Sequence, residues 1–200
     1  MSLNHVYRQL ARCVRLIMLD PKVADEFAND KASALASFRV LFFLIPYGLF
    51  ITFVTEQKYI AHYNVDALRF VALNLATSLA STVLGIMAVY QMCRWQGLLD
   101  NFPRWLVSYN WLGVLMVLVT FIPSMITLAE ALPRDGLIAM ATLCYFFALY
   151  VSFVHSWRLL KCDIFAACGM AIVPIMIGGV LRDFANLRVY GVARPFFDMP

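Results

Sequence analysis

The stretch WLVSYNWLGVLMVLVTFIPSMITLA, Trp105–Ala129, runs for 25 residues without a charged side chain. A hydrocarbon slab of about 30 Å is crossed by roughly 20 helical residues, so this run is long enough to span a bilayer as one helix. Four more stand beside it: Val40–Thr55 (16 residues), Phe70–Cys93 (24), Gly136–Trp157 (22) and Ile164–Leu181 (18). The first of these is short, but Ala32–Phe38 ahead of it is also uncharged, and a long side chain such as the intervening Arg39 can snorkel to the interface. The loops Glu56–Arg69, Arg94–Arg104, Glu130–Asp135 and Arg158–Asp163 are short, so consecutive helices are expected to be antiparallel neighbours. The expected fold is an all-α integral membrane protein. Its five transmembrane helices lie within 39–181, preceded by an amphipathic interfacial segment at 1–38 and followed by a tail at 182–200.

Composition agrees. The 200 residues are 62% hydrophobic and 14% charged, against roughly half and a quarter in soluble domains. A net charge of +4 comes from basic residues that flank apolar runs, which reads as membrane-edge topology and not as a nucleic-acid surface. The five cysteines, Cys13, Cys93, Cys144, Cys162 and Cys168, form no C-x-x-C pair and no metal-finger spacing, so free thiols are expected. The first 38 residues lack the apolar core and small-residue cleavage site of a signal peptide.

Ahead of the spans, Leu3–Met18 reads LNHVYRQLARCVRLIM. At helical spacing Leu3, Val6, Leu10, Cys13, Val14 and Ile17 share one side, while Arg8, Arg12 and Arg15 cluster opposite. That is a basic amphipathic helix of the kind that lies on a membrane surface, with anionic head groups as its expected partners. Asp20-Pro21 is expected to cap and open a short second helix. Asn101-Phe102-Pro103 reads as the start of the third span, and Phe184–Arg188 as an extension of the fifth. Ten of the sixteen Lys and Arg residues fall on the N-terminal side of the spans, which puts the N-terminus in the cytoplasm and the C-terminus outside. In a bacterium this is the inner membrane.

The second span carries a narrow stripe of small and hydroxylated residues, Asn74, Ser78, Ser81, Gly85 and Ala88, with Thr77 beside it. Ala167, Ala171, Pro174 and Gly178 repeat the pattern on the fifth span. Small residues let helices approach closely, so a packing seam is the preferred reading, and a polar cleft wall is the functional alternative. Every Asp, Glu, Lys and Arg lies at or beyond a span end, which argues against a proton-coupled carrier. His155 alone of the histidines sits within a charge-free run, and with Cys162 and Cys168 it makes no recognised metal pattern. No catalytic residue, metal or cofactor is expected.

The order of parts resembles the Yip family of small membrane proteins, in particular its bacterial-type members. The residues that carry the likeness are the basic start Arg12–Leu19, the turn Asp20-Pro21-Lys22, the proline-bearing first span FRVLFFLIPYGLF (Phe38–Phe50), and the fourth span with its exit, YFFALYVSFVHSWRLLKCD (Tyr145–Asp163). The resemblance implies a five-span fold. The DLYGP-type signature of eukaryotic members is not in the sequence, so the likeness implies no Rab-GTPase partner. The functional expectation is a non-enzymatic polytopic membrane protein, a partner-binding or membrane-organising accessory subunit within a larger membrane complex or a homo-oligomer. The alternative is a small transporter or pore subunit with a polar path along Asn74–Ser81 and Asn110. A membrane enzyme or redox subunit using His155 with Cys162 is the weakest of the three.

Overall fold

A computed structural model describes residues 3–55, 66–129 and 131–190, and it is all-helical, with no strand among them. Helix α1 spans Leu3–Ile17, α2 Lys31–Ser37, α3 Leu41–Thr55, α4 Ala67–Trp95, α5 Phe102–Leu128, α6 Arg134–Leu160 and α7 Ile164–Tyr190. Single 3-10 turns occupy Val23–Glu26, Phe38–Val40 and Leu99–Asn101. Most of the expected loop Glu56–Arg69 and the tail beyond Tyr190 lie outside the described residues.

Among the described residues five stretches are long and apolar enough to cross a membrane: Lys31–Ile51, Ala67–Trp95, Leu99–Thr127, Arg134–Leu160 and Ile164–Arg188. The shortfall of the first run is made good locally. Asp30 caps α2 by accepting the Ser33 backbone N–H at 2.8 Å, and the turn Phe38–Val40 leads straight into α3. Asp66 caps α4 through the Arg69 N–H (2.7 Å), and Asp163 caps α7 through the Ala166 N–H (3.0 Å). Asn101 precedes α5 with Pro103 in its first turn, as the sequence suggests. At the other end of α4, Gly97 takes φ +69°, and the Leu98 N–H closes on the Cys93 carbonyl at 2.8 Å.

The turn after α1 departs from expectation. Asp20 does accept the Lys22 N–H (2.9 Å), but only one 3-10 turn follows before Phe27 extends at ψ 137°. A regular helix from Pro21 is given up so that Val23, Ala24 and Phe27 all reach the core.

The long helices close into a ring in the order α3, α4, α7, α6, α5 and back to α3. Helices α4 and α7 make the most extensive pairing. The buried core is gathered at one end of the ring, where α5 begins and α6 ends. There Trp105, Trp111 and Leu112 of α5 and Val151, Leu159 and Leu160 of α6 pack with Cys13, Leu16 and Phe27 from the N-terminal segment. The segment 1–38 is therefore seated on the bundle: α1 lies against α5 and α6, and α2 against α5.

Candidate functional site

The stripe on α4 divides between two neighbours. Ser81 and Gly85 meet α7: a methyl added at Gly178 would stand 2.9 Å from Ser81 Oγ, and one added at Gly85 would stand 3.2 Å from the Pro174 Cβ. A methyl at Gly169 would touch Met92 Cε at 3.0 Å. These pairs step in opposite directions along the two helices, so they mark an antiparallel seam of the small-residue type. Ala167 and Ala171 are buried in the same region of α7. Thr77 is half-buried and belongs to neither the close contacts nor the cavity described next.

Asn74 and Ser78 turn the other way, into a cavity of about 400 Å³ inside the ring. Its polar wall is made by Asn74, Ser78 and Thr82 of α4, Tyr109 and Asn110 of α5, and Ser152 and His155 of α6. Leu41, Leu44, Ile45 and Leu49 of α3 supply an apolar wall. Most polar groups, Thr82, Tyr109, Asn110, Ser152 and His155, sit towards the end where α1 is docked, because α4 and α6 run into that end and α5 runs out of it. No Asp, Glu, Lys or Arg is among the lining residues.

Two polar side chains of this wall are fixed from behind. Asn110 Nδ2 donates to Ser37 Oγ of α2 at 2.7 Å, and the Ser37 hydroxyl donates onward to the Ala34 carbonyl at 2.6 Å. Asn110 is fully buried, and its Oδ1 has no hydrogen-bond partner. His155 Nε2 stands 3.1 Å from the Trp105 carbonyl, which can only accept, so Nε2 carries the proton and Nδ1 of the neutral ring is left as an acceptor. Trp105 holds the ring in place from its face, with centroids 5.1 Å apart, and is itself tied to Ser156 Oγ through Nε1 (3.3 Å). Phe102, Trp105 and Tyr109 stack along α5 at 5.7 and 5.0 Å. Cys162 bonds the Ser156 carbonyl at 3.6 Å and does not reach the cavity wall. Among the described residues no group of three His, Cys, Asp or Glu is placed to hold a metal ion.

A second site-like feature is the surface of α1. Val6, Gln9, Leu10, Cys13, Leu16 and Ile17 turn to the bundle, where His5 meets Trp111 edge-on at 5.6 Å and Tyr150 donates its hydroxyl to the Ile17 carbonyl at 2.8 Å. The expected apolar face is thus mostly a protein-docking face. Leu3, Tyr7, Val14 and Met18 form a separate stripe that stays exposed. The three arginines differ too. Arg12 pairs with Glu26 at 3.4 Å, and Arg15 pairs with Asp20 at 2.7 Å and with Glu26 at 2.8 Å. Arg8 bonds the Asn4 carbonyl of its own helix at 3.2 Å.

The carboxylates opposite are held in their charged form. The Lys22 backbone N–H and then Arg15 bring Asp20 below the usual carboxylate range. Asp25 is lowered first by Lys161 (3.1 Å) and also by Arg104 (2.8 Å), a bridge that ties the Val23–Glu26 turn to the ends of α5 and α6.

Asn74, Ser78 and Asn110 were legible as polar positions in apolar helices. Tyr109, Ser152 and His155 were not placed with them, and the only signal available was that all three lie on the inward turns of their spans. A scan against protein-family models and searches of curated proteins and of solved structures each found no match for the chain.

Proposed function

We propose that the chain is a non-enzymatic integral membrane protein of a bacterial inner membrane, an accessory subunit whose N-terminal segment rests on the cytoplasmic leaflet. Five long apolar helices support insertion, and the excess of basic residues on the side of α1 supports a cytoplasmic N-terminus. The likeness to the Yip family, with its basic start, short turn and close-set spans, is consistent with this role. One observation carries the reading: α1 keeps an uncovered apolar edge, Leu3, Tyr7, Val14 and Met18, although its opposite side is docked on protein. Arg8 bonds only the Asn4 carbonyl of its own helix among the contacts described above, whereas Arg12 and Arg15 are engaged with acidic side chains. An uncovered apolar edge on a basic helix is the arrangement of a helix lying in a lipid interface.

Nitroxide labels on the full chain in anionic vesicles test this. Labels at Tyr7 and Val14 are expected to be accessible to oxygen and shielded from aqueous nickel, with a label at Arg8 open to nickel. Equal nickel access at all three positions refutes the leaflet contact.

The second reading is a transporter or pore subunit, with anything transported passing the α4 wall. It is favoured by the cavity bringing Asn74, Ser78 and Asn110 to one space. Aqueous thiol reagents on single cysteines discriminate. A water-filled path makes positions 74 and 78 reactive and leaves 81, in the seam with α7, inert. Inertness at all three removes the path.

A further inference from the structure

We propose that the cavity binds an uncharged amphiphile drawn from the bilayer, its hydroxyl or carboxamide group seated among Tyr109, Asn110, Ser152 and His155 and its apolar body along α3. At about 400 Å³ the space lies within the roughly 300–1,000 Å³ range of small-molecule sites. Along the ring axis it extends from Thr82 to Asn74 on α4, eight residues or about 12 Å at 1.5 Å of rise per residue.

Charge is excluded by the lining. With no Asp, Glu, Lys or Arg among the described lining residues, a carboxylate or ammonium ligand would be buried in apolar surroundings without a counter-charge from them, which is strongly unfavourable. Hydrogen-bonding capacity then selects the head group. Asn110 Oδ1 is buried without a partner, and His155 presents Nδ1 as an acceptor, so the wall calls for a donor. The hydroxyls of Ser152 and Tyr109, which line the space, can answer a ligand acceptor. An alcohol or a primary or secondary amide offers both roles. A quinone, which only accepts, leaves Asn110 and His155 unanswered.

The route of entry is lateral. Ser78 and Leu79 line the cavity and are also exposed, so it opens on the outer surface of the ring along α4. Leu75 and Leu79, which line the cavity on this side, are apolar and suit an acyl chain arriving from lipid. At the docked end the Ser37–Asn110 bond closes the space off. The proposal rests on the ring standing in a bilayer and not on the role of α1, so the depth measurements at Tyr7 and Val14 fail or succeed independently.

The test uses the full chain in nanodiscs with a diazirine-bearing monodecanoylglycerol as probe. Cross-links are expected in the segments 109–116 and 148–155. Unlabelled monodecanoylglycerol should compete them away, and decanoate at neutral pH or decylubiquinone should not. Gly48 lines the cavity and has nothing within 4 Å of an added Cβ, so Gly48→Leu adds bulk at the cavity wall with no clash at its Cβ. Labelling should fall at least tenfold in this variant, and Ser152→Leu provides a second test on a different helix. Unchanged labelling in both variants overturns the site. Cross-links confined to lipid-facing positions such as Leu118 and Ile122 overturn it too. Equal competition by decanoate or decylubiquinone overturns the head-group assignment.

Discussion

Gly85→Leu is expected to force α4 away from α7 and to lower the stability of the bundle by about 3 kcal/mol, the upper part of the usual cost of overpacking a closed interface. Gly85 is buried, and the atom its side chain would strike is the Cβ of Pro174, at 3.2 Å. A proline Cβ is fixed by its ring and cannot rotate aside. Glycine to alanine changes nearby give a graded comparison. Gly85→Ala meets the same fixed atom and should cost about 1 kcal/mol. Gly178→Ala meets Ser81 Oγ at 2.9 Å, a hydroxyl that can change rotamer, so its effect should be smaller. Gly179→Ala meets nothing within 4 Å and should be neutral or slightly stabilising, since alanine is favoured over glycine in a helix by up to about 1 kcal/mol. Unfolding of the purified protein by titration with a denaturing detergent reads out the order. If Gly85→Leu unfolds at the wild-type midpoint, the α4–α7 seam is not where the bundle is held.

That seam and the cavity show what one sequence can and cannot disclose. Charge-free runs of sufficient length fix the existence of the long apolar helices, because length and apolarity are properties of each segment alone. The caps at Asp30, Asp66 and Asp163 are local in the same way. Periodicity also shows that Asn74, Ser78, Ser81 and Gly85 share a side of α4, but not which neighbour each one meets. Ser81 and Gly85 face α7 while Asn74 and Ser78 face the interior, and a small change of azimuth along one helix decides it. Asn110 finds its partner Ser37 73 positions away, on a helix that the apolar pattern merges with the first span. The same limit applies to α1. Its apolar face was visible, but the division into a docked half and an exposed stripe depends on where α5 and α6 stand. Likewise the charges of Arg12 and Arg15 were visible and their engagement with Glu26 and Asp20 was not.

The docking of α1 yields the second large effect. Phe27 is 2% exposed in the core, where it packs among residues of the N-terminal segment, α5 and α6. Truncation of such a phenylalanine to alanine costs about 3–5 kcal/mol. The α4–α7 and α5–α6 pairings of the ring are contacts between the long helices themselves. The loss should therefore fall on the equilibrium between docked and undocked N-terminal segment, raising the undocked population by about a hundredfold to a few thousandfold at 1.4 kcal/mol per decade. Cys13 reports it. In the docked state its thiol is buried, and burial pushes it up to about 12, against a small opposing effect of Arg12, so almost no reactive thiolate exists at neutral pH. Undocking returns the thiol to water and to its ordinary acidity. Maleimide labelling of Cys13 in Phe27→Ala, followed by peptide mass analysis, should accelerate in proportion to the undocked population, and tryptic cleavage after Arg12 and Arg15 should rise with it. The detergent-unfolding midpoint that reads the α4–α7 seam should stay close to wild type. Phe42→Ala removes the same ring from a position on α3 that is 79% exposed, and it should leave Cys13 protected. Wild-type Cys13 protection in Phe27→Ala would mean that α1 is held by its own contacts with α5 and α6, with the Val23–Phe27 turn passive. Loss of the seam transition in the same variant would mean instead that the N-terminal segment and the ring unfold as one unit.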